Sequence, residues 1–219
     1  MNAFIEIKAT QRNLSRRRPV CGVGINDAWY ATSRLINGKN TACPFYQVWR
    51  DMIKRCYSEK HKSNYENYID ATLCDEWLIF SNFKAWMQKQ DWRGKQIDKD
   101  LLNFGNKKYS PENCIFISGD LNVLISHRKK NGSLPTGVKR IYNSKKFQSI
   151  GRLFGKRVHI GCFDDKESAS IAYKEFKRLA IIRASNLPEA NKNKKIKDAL
   201  IAYSEAMVNS YDKINQRSK

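Results

Sequence analysis

From Gly137 to Phe163 apolar and polar residues alternate through three short segments separated by turn-forming triplets, a pattern that a small antiparallel sheet satisfies and a helix does not. The segments are 137–142, 146–153 and 157–163, and Asn143-Ser144-Lys145 and Phe154-Gly155-Lys156 are short enough for hairpin turns. Alternation places Phe147, Ser149, Gly151 and Leu153 on one face and Gln148, Ile150 and Arg152 on the other. In the last segment Val158, Ile160 and Cys162 are expected on the apolar face, opposite Arg157 and His159. An apolar face needs a cover, and the next segment supplies one. Asp164-Asp165-Lys166-Glu167 holds a D-x-x-E capping box, after which Ala169, Ala172, Tyr173, Phe176, Leu179 and Ala180 recur at helical spacing.

The same stretch is basic. Leu121 to Phe163 contains ten Lys and Arg and none of the chain's 21 acids. The whole chain carries a formal charge of +20, so it repels itself and calls for a polyanion, either nucleic acid or an anionic membrane. Membrane is the weaker reading, because there is no run of about 18 apolar residues and no signal or lipidation motif. Arg152 and Arg157 suit bidentate contacts to guanine edges, while Lys139, Arg140, Lys145, Lys146 and Lys156 suit phosphates. The six cysteines are scattered without a C-x-x-C pair, which fits buried free thiols in a reducing compartment better than a zinc site.

Upstream, Pro44 suits the first turn of a helix carrying Phe45, Val48, Trp49, Met52, Ile53 and Cys56 at helical spacing. A second amphipathic helix is expected from Asp75, with Trp77, Phe80, Phe83, Trp86 and Met87 on its face; these aromatics read as core. Residues 96–102 then read as a strand, Asn103 to Pro111 as a polar turn, 113–118 as a strand and Asp120 to Lys129 as a helix. Asp98 and Asp100, one residue apart on a strand, would share a face and suit a hard cation.

The class is therefore α+β. Residues 1–43 read as an N-terminal arm with Arg16-Arg17-Arg18 and an irregular segment, 44–130 as a helical and strand–loop–strand–helix domain, and 131–136 as a linker. Residues 137–185 form the sheet-and-helix module, and 186–219 a helical extension opened by Asn186-Leu187-Pro188. Its stripe of Ile196, Ala199, Leu200, Tyr203 and Met207 is expected to dock on the chain itself rather than on a second copy.

Gly137-Val138, the Lys146-Phe147 to Arg152 strand, His159-Ile160-Gly161-Cys162-Phe163 and the following Glu167, Ala169, Ala172 and Tyr173 together resemble the APETALA-type/ethylene-response-factor (ERF) DNA-binding domain. The resemblance implies a sheet laid in the DNA major groove with a helix behind it, and groove-facing residues Lys139, Arg152, Arg157 and His159. Residues 96–129 resemble the ββα frame of the HNH nucleases, whose matching positions here are Asp98-Lys99, Asn113 and Asn122. That resemblance implies Asp98, Lys99, Asn113 and Asn122 as the catalytic set. Asp98, Asp100 and Asn122 would be metal ligands for Mg²⁺ or another divalent cation if the chain is catalytic, with no cofactor otherwise. Lys99 stands where the family has its general-base histidine, and the chain's histidines are His61, His127 and His159. His127 on the helix is the alternative source of a base.

Over roughly residues 20–182 the chain resembles tailed-phage and prophage HNH homing endonucleases with an ERF-type domain. The residues that carry this are Gly22 to Asp27, Tyr46-x-x-Trp49-x-x-Met52-x-x-Arg55-Cys56-Tyr57, Glu76-Trp77-x-x-Phe80-x-x-Phe83-x-x-Trp86, Asp98-Lys99-Asp100, and Tyr109-Ser110-Pro111-Glu112-x-Cys114-x-Phe116. It implies a double-stranded DNA partner, no membrane partner, and the cytoplasm of a bacterial host cell. Two functions stay open: metal-dependent DNA nicking, and non-catalytic, sequence-specific DNA binding by a transcriptional regulator.

Overall fold

Short helices closing on aromatic rings make one unit of the chain, and a sheet under a long helix makes the other. The computed structural model describes residues 4–65, 68–126 and 133–216, with 208–216 as backbone alone. The first unit comprises the chain through Asp100 together with Gly105–Phe116; the second comprises Leu101–Phe104 and the chain from Ile117 onward. The mixed helix-and-sheet class agrees with the sequence.

The first unit runs α1 (Gln11–Ser15), β1 (Ser33–Ile36), β2 (Lys39–Ala42), α2 (Pro44–Tyr57), α3 (Glu59–Asn64), β3 (Thr72–Leu73), a 3₁₀ turn at Asp75–Leu78, α4 (Phe80–Gln88), β4 (Gln96–Asp98), β5 (Lys108–Tyr109) and β6 (Ile115–Ile117). Pro44 opens α2 as expected, and Trp49, Met52, Ile53 and Cys56 are buried against Trp77, Phe80, Phe83 and Met87. Burying an indole leaves its N–H in need of an acceptor. That of Trp49 donates to the Trp77 carbonyl at 2.6 Å.

The single helix expected from Asp75 is broken at Ile79. That residue is extended because its neighbours pair with Ile25, whose N–H donates to the Leu78 carbonyl at 2.8 Å and whose carbonyl accepts from Phe80 at 3.0 Å. The segment read as irregular contains the β1–β2 hairpin. Asn37 and Gly38 hold φ of 51° and 75°, the left-handed pair of a type I′ turn, for which Asn-Gly is the favoured dipeptide. Arg17 of the N-terminal arm is committed to this unit: its guanidinium donates to the carbonyls of Asn26, Ala28 and Tyr30.

The second unit holds α5 (Gly119–Ile125), β7 (Val138–Arg140), β8 (Phe147–Leu153), β9 (Lys156–Phe163), α6 (Lys166–Ala184), α7 (Pro188–Lys192) and α8 (Lys194–Gln216). The strands form an antiparallel sheet in the order β7-β8-β9. Phe154 and Gly155, at φ 47° and 79°, make a two-residue turn, so Lys156 already belongs to β9.

The pairing Ser149↔Gly161 is followed by Ile150↔His159, leaving Ile160 as the extra residue of a bulge. A one-residue insertion exchanges the faces beyond it. Gly161 and Phe163 therefore share the Ser149 face, and Cys162 turns outward and is exposed, contrary to the simple alternation.

α6 covers the inner face at close range. A Cβ on Gly151 would stand 2.1 Å from the Phe176 ring, and one on Gly137, at φ +81°, 2.0 Å from the Tyr173 ring. The cap of α6 is Asp165, which accepts the Ser168 N–H at 2.6 Å, one residue later than the D-x-x-E pattern places it. Leu179 is 52% exposed, while Lys177 is buried in its stead.

The Lys177 ammonium donates to the Ser126 carbonyl at 2.8 Å, the Tyr203 hydroxyl donates to the Ile125 carbonyl at 2.8 Å, and the Glu189 carboxylate accepts the Ser118 N–H at 2.9 Å. Both ends of α5 are thus tied to the α6–α8 group, which is why the unit boundary falls at Phe116/Ile117 and not at the expected linker 131–136. Ile196, Leu200, Tyr203 and Met207 of α8 are buried, so that helix docks on its own chain. Among the described residues no helix is long and apolar enough to cross a membrane.

Two predictions follow from the α6 contacts. Gly151→Ala, which drives a methyl into Phe176, should cost roughly 1–3 kcal/mol of stability, read by urea or thermal unfolding. Burial lowers Lys177 from the ordinary 10.5 to about 8. Below about pH 8 the ammonium is carried charged into the folded chain; above it folding releases the proton. Stability should therefore rise by roughly 3 kcal/mol as pH climbs from about 8 to about 10.5, relative to a Lys177→Met chain measured in parallel.

Candidate nucleic-acid interface

With one face of the β7-β8-β9 sheet sealed by α6, the other is left to solvent. Register aligns Lys139, Gln148 and Cys162 in one row across it, Ile150 with His159 in the next, and Arg152 with Arg157 in a third. Lys139, Arg152, Arg157, His159 and Cys162 are exposed; Gln148 and Ile150 are half-buried. The structure thus collects on one surface the four residues expected to face a groove. Gln148 and Cys162 join them, which simple alternation gave for the first and missed for the second.

The electrostatics of this face are one-sided. Like charges directly opposite across two strands are unfavourable, by up to about 1 kcal/mol at 4 Å in water. Arg152 and Arg157 occupy such a pair. Among the described residues no ion pair involves Lys139, Arg152 or Arg157, whereas Lys84, Lys95, Lys99 and Arg178 each hold a carboxylate within 2.9 Å. His159 presents Nε2 3.6 Å from the Cys162 Sγ.

The remaining basic candidates lie elsewhere. Register puts Arg140 on the Val138 and Phe147 face, where its guanidinium stacks 5.8 Å from the Phe147 ring centroid. Lys156 pairs with Leu153, on the Val158 side of the sheet. Lys145 lies in the β7–β8 turn, and Lys146, at the β8 end of that turn, pairs with Asp164 at 3.2 Å.

The expected nuclease set is divided between the two units. β4 ends at Asp98, so Asp98 and Asp100 do not share a strand face. Asp98 is buried and its Oδ1 accepts the Asp100 N–H at 2.9 Å, closing a side-chain turn. Lys99 is buried too. Its ammonium donates to Asp100 Oδ1 at 2.6 Å and to the Asn106 carbonyl at 2.7 Å, and lies 5.9 Å from the Tyr109 ring centroid. A lysine so placed has its protons committed to two acceptors and is poorly set to remove one from water.

Asn106, which the sequence did not single out, is the hub of this loop. Its Nδ2 donates to the carbonyls of Lys99 and Lys108 at 2.9 and 2.7 Å, and Asn113 Nδ2 reaches its Oδ1 at 3.4 Å. Asn113 thus joins this loop's hydrogen-bond network through Asn106. Asn122 sits on α5 and belongs to the second unit, while Asp98, Lys99 and Asn113 belong to the first. His127 lies outside the described residues. His61, on α3, has its ring centroid 4.7 Å from that of Tyr65, tilted, and 5.3 Å from that of Tyr68, edge to face, and burial lowers its pKa.

Asp98 and Asp100 do not form a cation cradle as they stand, because an ammonium already occupies the position a cation would take at Asp100. No group of three or more His, Cys, Asp and Glu side chains is gathered for a metal among the described residues. Burial raises the thiols of Cys56, Cys74 and Cys114, Cys56 to about 12, which keeps them protonated.

No family model, curated protein or solved structure matches this chain. Function must accordingly be argued from the site itself.

Proposed function

We propose that this chain is a double-stranded DNA-binding protein of phage or mobile-element type that engages DNA through the exposed face of the β7-β8-β9 sheet. The observation that carries this reading is the Arg152↔Arg157 pair, neither member of which, nor Lys139 on the same face, is in an ion pair among the described residues. Such a pair lowers stability in water and becomes favourable once a polyanion covers it. A sheet or β-ribbon fits the major groove, where two arginines can each take the O6 and N7 acceptors of a guanine. Lys139 and His159 extend the contact along the same face, and Lys145 adds a phosphate-reaching charge at its edge. The resemblance to the ERF-type domain points to the same four residues. A bacterial cytoplasmic location belongs to this proposal.

The ββα frame then serves as scaffold, with Lys99 pinning the loop through Asp100 and Asn106. In that form the protein acts as a sequence-specific binder, as a transcriptional regulator would. Metal-dependent nicking is the second reading, favoured by the order β4, β6, α5, which is that of the HNH frame.

Binding is tested by fluorescence anisotropy on duplex DNA. Arg152→Ala and Arg157→Ala should each cost roughly 1–3 kcal/mol of specific affinity; unaltered binding by the double variant would remove the sheet from the proposal. The two readings are separated by a supercoiled-plasmid nicking assay with Mg²⁺ or Mn²⁺. Scaffold use predicts no nicks above background alongside intact, salt-sensitive binding. Nicks that disappear in Asp98→Ala would establish the nuclease.

A further inference from the structure

The turn between β7 and β8 carries a side chain that the fold does not use. Tyr142 is 91% exposed, more than any other large hydrophobic side chain among the described residues. An aromatic ring left in water forgoes the burial that a ring of its size would gain. Yet the turn that presents it is well held. Ile141 N–H donates to the Lys146 carbonyl at 3.1 Å, Ser144 N–H to the Ile141 carbonyl at 3.2 Å, and Lys146 N–H to Ser144 Oγ at 3.1 Å.

The residues from Arg140 to Lys145 enclose a shallow hollow at this turn. Arg140 is braced along one side by the Phe147 ring, and Lys145 is exposed on the other, with no ion-pair partner among the described residues. Asn143 and Ser144 complete the lining, and no acid lies in it. One free ring flanked by two cations is the chemistry that receives a nucleotide: every base has a π-face to stack, and the cations meet the phosphates beside it. Inside a continuous duplex both faces of a base are already covered by its stacked neighbours. The ring's partner must be unpaired.

We propose that the β7–β8 turn is a second nucleic-acid contact, in which Tyr142 stacks on an unpaired base while Arg140 and Lys145 hold its flanking phosphates. This rests on the DNA-binding reading for the sheet but uses the opposite end of it. Phe147 and Arg152 are five residues apart on β8, about 17 Å at ~3.3 Å per residue, or roughly five base-pair steps of duplex. The sheet would lie on paired DNA and the turn on an unpaired nucleotide beside it.

The test compares three probes by anisotropy: a paired duplex, the same duplex with one bulged adenine, and a thymine single strand of about a dozen nucleotides, a length within the range of single-strand site sizes. Wild type should bind the bulged duplex on the order of tenfold more tightly than the paired one. Tyr142→Ala should erase that preference without changing paired-duplex affinity, and Tyr142→Phe, which keeps the ring, should preserve it. Arg152→Ala with Arg157→Ala should weaken both duplexes alike and leave the ratio intact. Equal wild-type binding to both duplexes, or a preference that survives Tyr142→Ala, overturns the turn contact even where the sheet binds. Failure on paired duplex with Tyr142-dependent binding to the single strand upholds the turn and sinks the sheet.

Discussion

The seating of α6 on bare backbone at Gly137 and Gly151 governs the second unit. Tyr173 and Phe176 lie where any side chain at those positions would stand, so the helix closes on the sheet at a distance only glycine permits. A three-stranded sheet has two faces, and sealing one leaves the other open to solvent along its length, with Arg140 and Lys156 at the ends of the covered side. The bulge at Ile160 completes this division by bringing Gly161 and Phe163 round to the sealed side. Lys139, Arg152, Arg157 and His159 are thereby gathered outside. The basic surface is the complement of a core contact.

Two groups stand out among the chain's cations. Some are absorbed by the fold: Arg17 gathers three carbonyls, Lys99 joins Asp100 to the Asn106 loop, and Lys177 is buried at the C-terminal end of α5 with the Ser126 carbonyl as acceptor. A charged group taken from water needs such partners, and where only a carbonyl is supplied, as for Lys177, the charged form becomes costly. Lys139, Arg152 and Arg157 on the outer sheet face and Lys145 on the Tyr142 turn are instead exposed, and no ion pair involves them among the described residues. Part of the chain's net charge of +20 thus stands where an anion has access. That contrast between Lys99 and Arg152 supports the proposed scaffold role for one and the proposed contact role for the other.

Much of the second unit is legible in the sequence because its signals are local. Alternation and the two turn triplets mark three strands, and alanines and aromatics at helical spacing mark α6. The α8 stripe likewise finds its own chain, with Tyr203 reaching back to Ile125. The misreadings have local or long-range causes that can be named. Asn37-Gly38 is a hairpin signal inside a stretch whose flanking residues lack clear alternation. Ile79 interrupts a helical pattern because it is drawn into pairing with Ile25, 54 residues earlier. Leu179 and Lys177 exchange their expected environments because α6 meets α5 as well as the sheet.

At the candidate site the same division holds. The sequence by itself determined the strand pattern, the helix that follows it and the absence of acids between Leu121 and Phe163, since each is a property of neighbouring residues and residue type. Only the tertiary structure decided that Cys162 faces outward, that Lys99 is bound by Asp100 and Asn106, that α5 belongs with α6–α8, and that Tyr142 stands uncovered. Each of these depends on which distant groups come within contact distance. Periodicity along the chain carries no record of that.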